Sequence, residues 1–420
     1  MTQQLLALAV ASASVLLLIQ TVRPLSGFVR DRRTRWTTLA LIALIGGGLL
    51  GDTTFLSGSA PFKLAYSGLF IALLFGTVAL RSDPVRRHVS VAPILLLLAL
   101  WGYLFLVNVY QNSGLGTAVL FTRLVPGIIW VMVLVLWRHT PITRQLLATV
   151  SSACLALPGM LTLVARDPWR ACDAFKCGVF GGMLTGPYTS ENYVAQQVVI
   201  VTALSLVAYG IRASLPVLVL GTVWLLATES RTSQYAFIAG LGVMIVFTLL
   251  RKAVVLPTMS RPGALRWLIA SVSPLAFIAL GVNFALTAEP TDFSNRGLIW
   301  IRSLRYIEES RIIGQGIDRW PQLQQLGLLS EHYPHSLYVF VLFSGGVVGL
   351  VLLFLWLRQS LVTGMAQDGR LRPVMMIGVV FMTLALLEVV WNPLAVDGTS
   401  WFPLTLIAIS WPPQTRRTLV

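Results

Sequence analysis

The stretch "HYPHSLYVFVLFSGGVVGLVLLFLW", His332 to Trp356, passes from two histidines and a proline into a run without a charged side chain. From Leu337 onward it holds the roughly 20 apolar or small residues that a helix needs to cross a bilayer. The run decides the fold class, and the rings at its mouth raise a chemical question. Working outward, the same signal recurs. Of 420 residues 56% are hydrophobic and 11% charged, outside the range of a water-soluble globular chain. Apolar segments lie near 4–20, 36–50, 62–80, 91–108, 115–137, 145–165, 193–211, 213–228, 233–250, 267–287, 335–357, 374–390 and 400–411, the last short for a span. The sequence predicts an all-α polytopic membrane protein of twelve or thirteen transmembrane helices. One integral domain covers 1–420, with a large, partly helical outward loop at 288–334.

Lys and Arg set the orientation. Twenty of the thirty-one fall in 21–35, 81–90, 138–144, 212, 251–266, 358–373 and the C-terminus; ten fall in the alternate loops, and Arg123 lies within a segment. The positive-inside bias makes the first set cytoplasmic. Thirteen spans would leave the N-terminus outside and twelve inside, and charge counting does not choose. The first segment lacks an N-terminal positive cluster and a small-residue cleavage site, so it reads as a retained helix.

Positive charge on the outward side needs a local reason. In "TDFSNRGLIWIRSLRYIEES", Ser294 or Asn295 can cap a helix with Trp300, Leu304 and Ile307 on one face and Arg302, Arg305 and Glu309 on the other. Arg296, one turn before Trp300, would then sit where the helix dipole repels a cation, and an anion would relieve both. The bland readings are an interfacial Arg and, for the loop's other arginines, solvated pairs with its acids. Arg231 stands where two apolar segments meet in "LLATESRTSQYAF", with Glu229 as the local partner and an intramembrane functional role as the alternative. Arg123 bonds to neighbouring carbonyls or binds substrate. Pro334 suits a first helical turn, which would place His335 at an outer helix N-terminus, where a neutral imidazole can accept a proton. His332 is the weaker candidate. Two histidines without Cys or a carboxylate set, in a chain without Asp-x-Asp, predict no metal.

Three stretches together resemble a family: "ESRTSQYAF", "NRGLIWIRSLRYIEESRIIGQGIDRW" and the opening stretch match, in order, the C-terminal signature of the O-antigen ligase and polymerase superfamily. Upstream, "LTGPYTSENYVAQQ" is similar to the family's Gly-Pro-then-Asn segment, with Asn192 at the matching position. The resemblance covers about 184–357. It implies a multi-pass bacterial inner-membrane enzyme working on the periplasmic side without metal or cofactor. Such an enzyme moves O-antigen from undecaprenyl diphosphate to lipid A-core, with membrane lipids but no nucleic acid as partners. It assigns Arg231 and Arg296 to the diphosphate and His335 to the acceptor hydroxyl, a single displacement with inversion. Arg123, Asn192, Arg302, Arg305, Tyr338 and Asp397 are the expected substrate-binding set; Asp397 or Glu388 would orient the histidine or pair with an arginine. Glu191 and His332 have no counterpart.

Cys172 and Cys177, in the outward loop 166–192, can form a disulfide in an oxidising compartment, whereas Cys154 lies within a helix. Gly345 and Gly349 make a small-residue packing face. An O-antigen polymerase or a protein O-oligosaccharyltransferase shares the donor chemistry, and a polytopic transporter is the alternative from another class. The chain shows no repeated half to favour the transporter.

Overall fold

The computed structural model describes residues 2–409 apart from 57–58, 81–89, 113, 115, 138, 140–141, 173–175, 179, 254–261, 330–332 and 369–370. In chain order the helices are α1 (Thr2–Arg30), α2 (Arg35–Gly51), α3 (Ala60–Ala79), α4 (Ala92–Gln111), α5 (Thr117–Val135), α6 (Arg144–Leu161), α7 (Glu191–Tyr209), α8 (Leu215–Thr228), α9 (Arg231–Ala253), α10 (Pro262–Thr287), α11 (Asp292–Glu309), α12 (Arg319–Gln325), α13 (Leu337–Asp368), α14 (Leu371–Leu387) and α15 (Phe402–Ala408). A small antiparallel hairpin, β1 (Trp169–Arg170) with β2 (Met183–Leu184), joins α6 to α7. The protein is an all-α polytopic membrane protein. Among the described residues, α1, α3, α4, α5, α7, α9, α10 and α13 are long and apolar enough to cross a membrane, and α2, α8 and α14 are shorter apolar helices. The thirteen apolar segments of the sequence fall on α1–α10 and α13–α15, and α11 and α12 lie in the loop 288–334.

Helix α7 is the axis of the bundle. Its residues Val194 to Leu206 are buried on every side, as a helix apolar all round should be, and it packs on α6, α8, α9 and α14. The short α15 is buried throughout. Contacts gather the connecting segments at one end of the bundle. Gln3, at the start of α1, donates through Nε2 to Gly181 O at 3.0 Å, and Thr54 N, after α2, to Pro187 O at 2.7 Å. Gly398 N donates to Asp52 Oδ2 at 2.6 Å. The N-terminus therefore shares its end of the bundle with the loops between α6 and α7 and after α14.

Two departures from regular helix shape this end. In α13, Gly346 has φ 58° and ψ −159°, which breaks the helix. The carbonyls freed by the break accept from the loop after α11: Gln315 N reaches Phe343 O at 2.8 Å and Gly316 N reaches Ser344 O at 3.0 Å. The sequence reading of Gly345 and Gly349 as a packing face holds, since both lie against Leu104 of α4, but the break was not anticipated. In α11, Phe293, Ser294 and Asn295 are all left-handed, so the regular helix starts only at Arg296. Ser294 and Asn295 thus turn the chain rather than cap it. Gly297 allows this turn, because a Cβ there would collide with Glu289 O.

Candidate active site

The left-handed turn of α11 brings Arg296 across to the end of α14. Its Nη2 donates to Glu388 Oε1 at 2.6 Å, and its Nη1 donates to Leu387 O. Trp300, one turn further on and fully buried, donates through its indole N–H to Pro334 O and fixes the residue before His335. The amphipathic pattern is as expected: Trp300 and Ile307 are buried, whereas Arg302, Arg305 and Glu309 face outward.

His335 is not in a helix. It has φ 50°, α13 begins at Leu337, and Ser336 Oγ accepts from Val339 N at 3.5 Å in the manner of an N-cap. Pro334 therefore does not open the helix. A carboxylate stands beside the ring instead: His335 Nδ1 faces Glu388 Oε2 at 3.6 Å. That spacing is longer than a good hydrogen bond. Burial alone would push the Glu388 carboxyl up, but the Arg296 guanidinium and the His335 ring outweigh it and hold its pKa below the usual range. Glu388 is ionised at neutral pH and joins the two predicted residues. It also meets the need for an anion beside Arg296. The side chains of Arg296 and His335 are 14% and 25% accessible, so both remain partly exposed.

Arg231 starts α9 two residues after Glu229, whose left-handed φ of 52° ends α8. It is exposed, and among the described residues its guanidinium has no hydrogen-bond or ion-pair partner. Helices α9 and α14 pack together with Gly240 against Val380 and Met376. From that contact α9 runs back about 13 Å to Arg231 and α14 runs on about 10 Å to Leu387, at 1.5 Å per residue. Arg231 therefore reaches the same end of the bundle as Arg296, Glu388 and His335.

Other expected substrate-binding residues are engaged structurally. Arg123 forks onto Asp318, with Nη2 to Oδ1 at 2.6 Å and Nε to Oδ2 at 3.3 Å, and donates to Leu394 O. Asn108 completes the cluster by donating to Asp318 Oδ2 and accepting from Asp318 N, both at 2.8 Å. Arg123 is thus a tie between α5 and the loop before α12. Tyr338 is fully buried and donates to Met382 O at 3.1 Å. Asn192 Oδ1 accepts from Lys176 Nζ at 3.3 Å. Asp397 stands beside Asp52 and accepts from Thr399 N at 2.7 Å; burial and the Asp52 charge raise its pKa to about 6. Of the two carboxylates weighed for the histidine, Glu388 is the one in place. Glu191 is buried between Lys176 (2.8 Å) and Arg170 (3.6 Å). His332 lies outside the described residues.

A helical membrane bundle carrying two arginines, a histidine and a carboxylate at one end defines the class. Residues 216–354 match the family described as O-antigen ligase, a stretch that runs from α8 into α13 and takes in Arg231, Arg296 and His335. The match covers 139 of the 420 residues, and over that segment the chain is similar to the family. No curated protein and no solved structure matches the chain.

Proposed function

We propose that the protein is an O-antigen ligase that transfers the glycan from undecaprenyl diphosphate to lipid A-core, without metal and with inversion. The observation that carries this reading is the junction of Arg296, Glu388 and His335. A carboxylate that stays ionised beside Nδ1 holds the proton there and leaves Nε2 as the base. The acceptor hydroxyl gives its proton to Nε2 as its oxygen bonds the anomeric carbon. The bond from that carbon to the diphosphate oxygen breaks, and its electron pair leaves with the diphosphate. Arg231 and the donors Arg296 does not use on Glu388 and Leu387 meet that growing charge. The same reading puts the site in the periplasm, on the inner membrane's outer side: the charge count favours that orientation, and the disulfide between Cys172 and Cys177 suits an oxidising compartment. Arg302 and Arg305, exposed on the outer face of α11, are suited to the anionic core of the acceptor.

Purified protein given lipid-linked O-antigen tests this with three acceptors: lipid A-core, a second lipid-linked glycan, and a Ser/Thr-bearing protein. Product on lipid A-core alone is expected. Product on the second glycan or the protein would replace ligase by polymerase or oligosaccharyltransferase. Turnover should survive EDTA, and loss on chelation restored by Mg²⁺ would overturn the metal-free mechanism.

A further inference from the structure

The hairpin between α6 and α7 binds four helix ends at once. Gln3 holds its tip from α1, and Thr54 holds Pro187 from the end of α2. At the start of α7, Lys176 Nζ donates to Glu191 Oε1 at 2.8 Å and to Asn192 Oδ1 at 3.3 Å. At the end of α8, Gly178 lies so close to Glu229 that a Cβ would stand 2.9 Å from Glu229 Cγ. Lys176 and Gly178 are the two neighbours of Cys177, and Cys177 is bonded to Cys172. One covalent closure thus sits between the contact on Asn192 and the contact on the turn that delivers Arg231.

We infer that the Cys172–Cys177 disulfide is a positioning element, which clamps the start of α7 and the α8–α9 turn in the geometry the site uses. The physical reason is that these contacts are single side chains on a glycine-rich tip, with Gly178, Gly181 and Gly182 within five residues. Such a tip gains many conformations once its cross-link is cut, and each contact then has to overcome that entropy. Losing Lys176 also strips a buried carboxylate, Glu191, of its closest cation, so the start of α7 loosens along with the tip. The consequence for catalysis rests on the role proposed above for Arg231.

The test uses the full chain in nanodiscs, oxidised, reduced with a phosphine, and as the C172S/C177S variant. Hydrogen exchange is followed at the amides of 188–196 and 228–234, and transfer kinetics are measured with lipid-linked O-antigen and lipid A-core. Reduction should speed exchange at both junctions by on the order of tenfold. It should raise the donor KM several-fold, with a smaller change in kcat. K176M should do the same, and combining it with C172S/C177S should add little, because both cut one linkage. C154A should respond to reductant as the wild type does. Unchanged exchange in fully reduced protein would overturn the clamp; faster exchange with unchanged kinetics would overturn its part in positioning. Oxidised wild type without transfer activity would overturn the proposed function, and the exchange readout would still decide the clamp by itself.

Discussion

At the level of single residues, the unit that matters is Glu388 with its two partners. In the proposed mechanism His335 is the proton acceptor, so His335→Ala should keep the protein folded and lower transfer by about 10²–10⁴. Glu388→Gln tests whether the carboxylate acts through the ring. The amide keeps the shape but neither pairs with Arg296 nor fixes the Nδ1 proton, so kcat should fall with little change in acceptor KM. Breaking the buried pair by Arg296→Ala should also destabilise the fold by about 3–5 kcal/mol, since it leaves a buried carboxylate uncompensated. Arg296→Lys should impair transfer despite its charge, because one ammonium cannot serve Glu388, Leu387 O and a diphosphate together; wild-type turnover in that variant would sink the forked-donor role. Arg231, Arg296 and His335 stand out in the sequence because each breaks a local rule: a cation on the outward side, or a titratable ring at a span's mouth. Arg123 donates to a carbonyl, as one of its two readings had it, but its ion-pair partner, Asp318, was not legible because it is 195 residues away in sequence. For the same reason the choice of Glu388 over Asp397 was invisible.

At the level of elements, periodicity gave the helices and missed their interruptions. Whether Gly346 continues a helix or breaks it depends on whether another segment supplies donors for the freed carbonyls, and here the loop carrying Gly314 and Gly316 does. Those glycines are left-handed, with φ of 83° and 76°, and pack against backbone that a side chain would strike. The Gly-x-Gly of the sequence is therefore a docking device for the loop that follows α11. Gly346→Ala places a Cβ against Ile312 O in a left-handed conformation, so it should undock the loop and lower both melting temperature and transfer. Gly102→Ala in α4, where nothing lies within 4 Å of the new Cβ, should change neither; equal behaviour of the two variants would show that the docked loop is dispensable.

At the level of the whole molecule, two carboxylates titrate in opposite senses because their surroundings differ. Glu388 has its pKa lowered, so its stabilisation is complete above the ordinary carboxylate range and is lost as pH falls through the lowered value. Asp397 is raised from 3.8 to about 6 beside Asp52, which is held by Lys63 at 3.4 Å and by Gly398 N and Tyr193. Between those two values the folded chain holds more protons than the unfolded chain, so stability falls as pH rises through that window. The segment from Glu388 to Ser400 therefore links the reactive end of the bundle to a carboxylate pair near α2 and α3, and stability should peak between the two titrations. In nanodiscs, the melting temperature of the wild type should decline from about pH 4 to pH 6 and level off above. Asp397→Asn should abolish that decline and raise the melting temperature at pH 7, while keeping the loss at lower pH that belongs to Glu388. A decline of the same size in Asp397→Asn would show that the Asp52–Asp397 pair is not its source.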